Sequence, residues 1–198
     1  MPRIGSVAVF CGAQSGRDPR PMEAARALGR GLARGGRQLV YGGGRIGLMG
    51  ALADAALAEG GAVTGVIPEF LTRREVAHPG VGRMVVTASM HARKQRMFEL
   101  ADAFVMLPGG LGTLDEIVEI ITWRQLGLHD KPVLLCDVAG SAGPLVSLVA
   151  AVIADGFAQA SVRTLFEVAD GVAPLLARLD ALSTAASTAD AAADPARL

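Results

Sequence analysis

Short, mainly apolar runs alternate along this chain with longer stretches in which apolar residues return every third or fourth position. The runs fall at 7–10, 39–41, 62–67, 85–87, 105–107, 133–136 and 165–168. An unbroken apolar run of this length suits a strand covered on both faces, because a strand with one wet face would alternate. The intervening stretches predict helices over 21–34, from 47 to about 59, over 90–100, from Thr113 past Leu126, over 144–155 and over 172–182. The passage 68–82 stays polar and irregular.

Strand and helix taken in turn predict an α/β fold: one Rossmann-like, doubly wound parallel sheet flanked by helices. The expected strand order is 3-2-1-4-5-6 with a short strand appended. Residues 1–182 form a single domain, and residues 183–198, rich in Ala, Ser and Asp without an aromatic residue, read as a disordered tail or frayed extension. With 198 residues the chain can build one sizeable α/β core, but not two comfortable domains.

Nineteen acidic residues balance nineteen basic ones, which gives no electrostatic footprint for nucleic acid and no basic membrane patch. No apolar run approaches the length of a membrane span and no signal-peptide pattern opens the chain, so a cytoplasmic protein is expected. Cys11 and Cys136 sit in or at the end of strand-like runs and read as buried thiols of a reducing compartment. His78, His91 and His129 are scattered and form no Cys/His cluster, so no metal is expected.

The chemistry concentrates in residues 103–123, AFVMLPGGLGTLDEIVEIITW. A buried strand runs into Pro108, and Gly109, Gly110 and Gly112 then permit positive φ and leave no Cβ in a ligand's way. Thr113 reads as an N-cap, so the free amides of the first helical turn converge on a small region suited to phosphate. Glu116, three residues on, fits a capping box with Thr113. At about 100° per residue it also falls between Ile120 and Trp123, a carboxylate among apolar neighbours beside an anion site.

Two further stretches bear on the site. Gly42, Gly44 and Gly47 satisfy GxGxxG between a strand and a helix, and Glu69 stands near the distance, roughly 20 residues on, of a ribose-binding acid. That dinucleotide reading competes with one in which the 42–44 loop walls a single pocket shared with the later glycine turn. On the helix over 90–100, Arg93 and Lys94 border the apolar centre set by Met90, Met97 and Ala101. Both side chains can snorkel to water, yet two cations beside a buried stripe are costly without an anionic partner. Arg93 is the candidate to hold a carboxylate or phosphate, through two hydrogen bonds of a permanently charged group.

The residues PGGLGTLDE at 108–116 match PGGxGTxxE and resemble the signature of the LONELY GUY (LOG) family, whose members are often labelled lysine decarboxylases. CGAQSG at 11–16, YGGGRIGLMG at 41–50, MHARKQRM at 90–97 and WRQLGLHDKPV at 123–133 resemble the same family in the same order. The resemblance spans roughly residues 5–180. It implies a nucleotide-binding phosphoribohydrolase that cleaves the N-glycosidic bond of N6-substituted adenosine 5'-monophosphates, or AMP, with no cofactor. Arg93 and Glu116 are then catalytic. Ser15, Gly43, Glu75, Lys94, Gly109, Gly110, Leu111, Gly112, Thr113, Leu114, Asp115 and Thr122 are the implied substrate contacts. Leu111 and Asp115 depart from the Tyr and Glu common in the family, which leaves base preference open. A non-catalytic nucleotide or cofactor carrier on the same sheet is the alternative. A pyridoxal phosphate decarboxylase would need a Schiff-base lysine, and only Lys94 and Lys131 exist.

The helix beyond Thr113 carries Leu114, Ile117, Val118, Ile120, Ile121, Trp123 and Leu126 around most of its circumference. A helix apolar on nearly all sides is buried on nearly all sides. One sheet covers one face, so a homodimer with the pocket near its boundary is expected, as the resemblance also implies.

Overall fold

The computed structural model describes residues 4–72 and 77–193. In chain order the elements are β1 (Ser6–Phe10), α1 (Arg20–Arg34), β2 (Gln38–Tyr41), α2 (Gly47–Ala58), β3 (Val63–Pro68), β4 (Arg83–Thr87), α3 (Met90–Leu100), β5 (Ala103–Met106), α4 (Leu111–Gln125), β6 (Val133–Asp137), α5 (Gly143–Ala154), β7 (Glu167–Asp170) and α6 (Val172–Ala193). Single 3-10 turns stand at Glu69–Leu71 and Ala160–Thr164.

All seven strands are parallel, in the order β4-β3-β2-β1-β5-β6-β7. The doubly wound sheet expected from the strand–helix alternation is therefore present. One placement differs: the fourth strand lies outside β3 at the sheet edge, and β5 takes the place beside β1. Local patterning does not encode which strand pairs with which, and β4 is only partly buried, as an edge strand can be.

The runs are largely apolar because strands β1 to β6 each feed two cores. Val7, Val9 and Cys11 face the layer of α1, α2 and α6 with Leu28, Leu52 and Leu175. Ala8 and Phe10 face the layer of α3, α4 and α5 with Met97, Phe104 and Ile117. Every residue of β1 and β5 is buried. The closing helix is longer than its apolar pattern marks: the segment beginning at Ser183, expected as a disordered tail or frayed extension, continues α6 as far as Ala193. Among the described residues no helix is long and apolar enough to cross a membrane.

The strand order reverses at β1, with β2 on one side and β5 on the other. In a doubly wound sheet the crevice beyond the carboxyl ends of such strands is where ligands bind. Here the loops leaving β1 and β5 meet there, and the Gly12 amide donates to the Pro108 carbonyl at 3.0 Å.

Candidate active site

At that crevice opens a cavity of about 550 Å³, lined by residues 11–16, Pro21, Leu48, Met49, Arg93, Pro108, Gly109, Gly110, Gly112, Thr113 and Glu116. Its volume falls within the range usual for small-molecule sites, about 300–1,000 Å³.

The glycine-turn end of the cavity is built differently from the expectation. Helix α4 starts at Leu111, and its N-cap is Gly110 (φ −92°, ψ −160°), with no side-chain cap. Thr113 is the third helical residue rather than the cap, so a capping box with Glu116 does not form. The first-turn amides are left for a ligand or water. Gly109, Gly110 and Gly112 are not among the positive-φ glycines; they serve close approach instead. A Cβ on Gly109 would stand 2.6 Å from Thr113 Cβ and 2.9 Å from the Gly12 nitrogen, whereas one on Gly110 or Gly112 would meet open space.

The charged end rests on α3 and α4. Ser89 caps α3 by accepting from the Ala92 amide at 3.1 Å, which aims Arg93 at the ends of β2 and β3. Arg93 Nε donates to the Val66 carbonyl at 3.1 Å, and Nη2 makes a longer contact of 3.5 Å to the Gly42 carbonyl. Its Nη1 stands 3.3 Å from Glu116 Oε1. Both side chains are buried and both line the cavity. The apolar wheel position read for Glu116 is where the structure puts it, with Ile117 and Ile120 on the same buried side of α4.

Cys11 also lines the cavity. Burial pushes its thiol pKa well above the ordinary value, the Glu116 carboxylate pushes the same way, and the Arg93 guanidinium opposes both. The group is a neutral thiol, unsuited to nucleophilic attack.

The structure thus gathers Ser15, Arg93, Gly109, Gly110, Gly112, Thr113 and Glu116 around one cavity. It does not gather the rest. Lys94 turns away to α4, 3.1 Å from Asp115 Oδ2 and 3.0 Å from Glu119 Oε2. Burial works against its charge, but those two carboxylates outweigh it and hold the pKa above the ordinary lysine value. Leu111, Leu114, Asp115 and Thr122 lie exposed on α4 and do not line the cavity. Gly43 (φ +79°) packs behind the site, where a Cβ would stand 3.1 Å from Ile67 Cβ. Glu75 lies outside the described residues.

Gln14, Pro21, Leu48 and Met49 were not singled out from sequence. Leu48 and Met49 open the helix that follows the 42–44 loop, so the wall expected from those glycines is made by their neighbours. The same contact weakens the dinucleotide reading. Gly47, at φ +62°, sits against Ala13 and Gln14, where a Cβ would stand 2.5 Å from the Gln14 nitrogen. The Leu48 amide, one of those a pyrophosphate would need, already donates to the Gly12 carbonyl at 3.0 Å.

Neither lysine serves a Schiff base in this cavity. Lys131 Nζ donates to the Phe98 carbonyl at 2.8 Å and lies 4.1 Å from the Phe98 ring centroid.

Fold and site together define a Rossmann-like protein with a buried guanidinium–carboxylate pair lining a cavity at the carboxyl edge of its sheet. The chain belongs to the LOG family: a family model described as "Possible lysine decarboxylase" matches residues 49–179. The cytokinin riboside 5'-monophosphate phosphoribohydrolase of Rhodococcoides fascians is 47% identical over 164 residues, covering 82% of this chain and 83% of that one. LOG7 of Arabidopsis thaliana, of the same name, is 42% identical over 178 residues, 90% of this chain and 82% of its own. Among solved structures, the molybdenum cofactor carrier protein of Chlamydomonas reinhardtii superposes with a TM-score of 0.69 at 23% identity, over 91% of this chain and 98% of that one. That likeness shows a shared fold.

Proposed function

We propose that this chain is a cytokinin riboside 5'-monophosphate phosphoribohydrolase, releasing a free N6-substituted adenine and ribose 5-phosphate. The observation that carries the reading is the buried Arg93–Glu116 pair, at 3.3 Å, facing a cavity whose other end offers uncapped helix amides. The relatives named above support the reaction, and the geometry supports the roles proposed for these residues.

The amides that open α4 hold the 5'-phosphate, so a group remote from the reacting bond fixes its position. Breaking C1'–N9 leaves positive charge on the ribose ring while the base departs with the bonding electrons and takes up a proton. Glu116 stabilises the cationic sugar and accepts a proton from the water that attacks C1'. Arg93 fixes the carboxylate, and its own orientation is fixed by the Val66 and Gly42 carbonyls.

The apolar residues left exposed along α4 and at its C-cap, Leu111, Leu114, Val118 and Leu126, form a stripe at helical spacing that a second copy of this chain covers. Leu111, Leu114, Asp115 and Thr122 then reach the substrate region from the dimer boundary. The enzyme works in the cytoplasm, a setting that suits two buried, unbridged cysteines.

The test is product analysis. Incubation with AMP and with its N6-prenylated analogue, followed by chromatography, is expected to yield free base, faster from the prenylated nucleotide. Recovery of both nucleotides intact overturns the reading in favour of a carrier.

A further inference from the structure

A second cavity, of about 430 Å³, lies in the groove between α1 and α2. Met22, Arg26 and Arg30 line it from α1. Their four-residue spacing puts them on one stripe, with the two guanidinium stems about 6 Å apart along the axis. Helix α2 supplies Ala51 and Ala55 at the same period, which leaves a floor without large side chains. Arg45, from the loop before α2, also lines the groove.

The three arginines differ from their neighbours on the same layer. Arg20 is matched by Asp18, Arg34 by Glu59 and Arg37 by Asp180. Among the described residues no carboxylate forms an ion pair with Arg26, Arg30 or Arg45. Arg30 lies close enough to Glu59 to help lower its pKa, but after the hydrogen bond from Arg34, which Glu59 accepts through both oxygens. One acid, Asp54, lines the groove, and it is held by His78 Nε2 at 3.0 Å. Three fixed positive charges against one negative charge leave a formal surplus of two in one concavity.

We propose that this groove is a second anion site, distinct from the catalytic cavity, that binds the diphosphate group of a small molecule. Three guanidinium groups offer forked donors to several oxygens at once, the arrangement that suits phosphate groups. Their spread along the groove matches charge carried at more than one point, which a diphosphate has and a monophosphate lacks. The walls are rigid: α1 and α2 touch through backbone at Gly29, where a Cβ would stand 3.1 Å from the Ala56 nitrogen. The groove is on the α1–α2 layer, whereas the exposed apolar stripe of α4 is on the other. It therefore stays open when that stripe is covered.

The two cavities adjoin without merging. Pro21 and Leu48 line the catalytic one, while their chain neighbours Met22 and Gly47 line the groove.

Calorimetric titration of the full chain with inorganic pyrophosphate tests the assignment, with ribose 5-phosphate present throughout to occupy the catalytic cavity. Binding is expected to persist under that condition, to exceed binding of inorganic phosphate at least tenfold, and to weaken at least tenfold in the Arg26→Gln/Arg30→Gln double variant and in Arg45→Gln. Circular dichroism and base release in the variants establish that they fold. Titration with ADP identifies the source of the group: tighter binding than pyrophosphate assigns a nucleotide lying over Ala51 and Ala55, and equal binding assigns the inorganic anion. Pyrophosphate binding that is unchanged in both variants, or that ribose 5-phosphate abolishes, overturns the proposal.

Discussion

Arg93 Nη1 stands 3.3 Å from Glu116 Oε1, with side-chain exposures of 7% and 8%. Two opposite charges so far from water are worth little to stability as a pair, yet removing one takes from the other a charged partner in a place where water is scarce. Glu116→Gln keeps the shape and removes the charge, so kcat is expected to fall by about 10²–10⁴ with the fold retained. Arg93→Lys should lower it in the same direction, because an ammonium cannot reproduce a fork that meets Glu116, Val66 and Gly42 together. Arg93→Ala should also destabilise by about 3–5 kcal/mol, read from denaturant unfolding. Base release at the parent rate by Glu116→Gln would remove the carboxylate from the mechanism.

Two neighbouring glycines separate the fold from the ligand. At Gly109 a methyl group collides with Thr113 and the Gly12 nitrogen, so Gly109→Ala should lower both thermal stability and activity. At Gly110 a methyl group meets nothing in the protein. Gly110→Ala is therefore expected to melt like the parent but to raise KM for the nucleotide several-fold, as its methyl enters the space assigned to phosphate. An unchanged KM would move the phosphate elsewhere.

The stripe on α4 makes a claim about assembly. Leu111 is 86% exposed and Val118 42% exposed, and neither contributes to the protein's own core. Leu111→Asp with Val118→Asp should convert a dimer to a monomer in sedimentation velocity. A monomeric parent, or a variant that stays dimeric, would remove α4 from the interface.

His129 gives a pH dependence with a definite sign. Burial lowers its pKa below the ordinary value of 6.5. Its Nε2 donates to the Ile120 carbonyl at 3.0 Å, and its ring meets Phe98 and Phe104 edge-on. Since the unfolded chain binds the proton more readily, the neutral ring favours the fold above pH 6.5, and that contribution is lost as pH falls toward the depressed value. The melting temperature should drop between pH 7 and 5.5, and less steeply in His129→Gln, which keeps a donor for Ile120. Parallel curves for parent and variant would assign the loss to other groups.

Much of this was legible in the sequence because the signals were periodic. Residues buried on two faces wrote unbroken runs, and the helical wheel placed Glu116 inward although its spacing from Thr113 fitted a cap equally well. Arg93 and Lys94 were harder to separate. They are adjacent, about 100° apart on the helix, and only the position of α4 decides that one meets Glu116 and the other meets Asp115 and Glu119. The start of α4 was misread because Thr113 has the chemistry of a cap, while glycine caps by conformation and carries no mark of its own. Pro21, Leu48 and Met49 reach the cavity only through the sheet order, which no local pattern encodes.

The backbone of Gly12 ties two segments together: its N–H donates to the Pro108 carbonyl at 3.0 Å and its carbonyl accepts from the Leu48 amide at 3.0 Å. The seam that holds the pocket together is thus main chain, common to any sequence that keeps the turn. Side chains that line the pocket, Gln14, Ser15 and Met49 among them, carry none of that seam. Exchange of those side chains can reshape the lining while the main-chain frame around it is inherited unaltered.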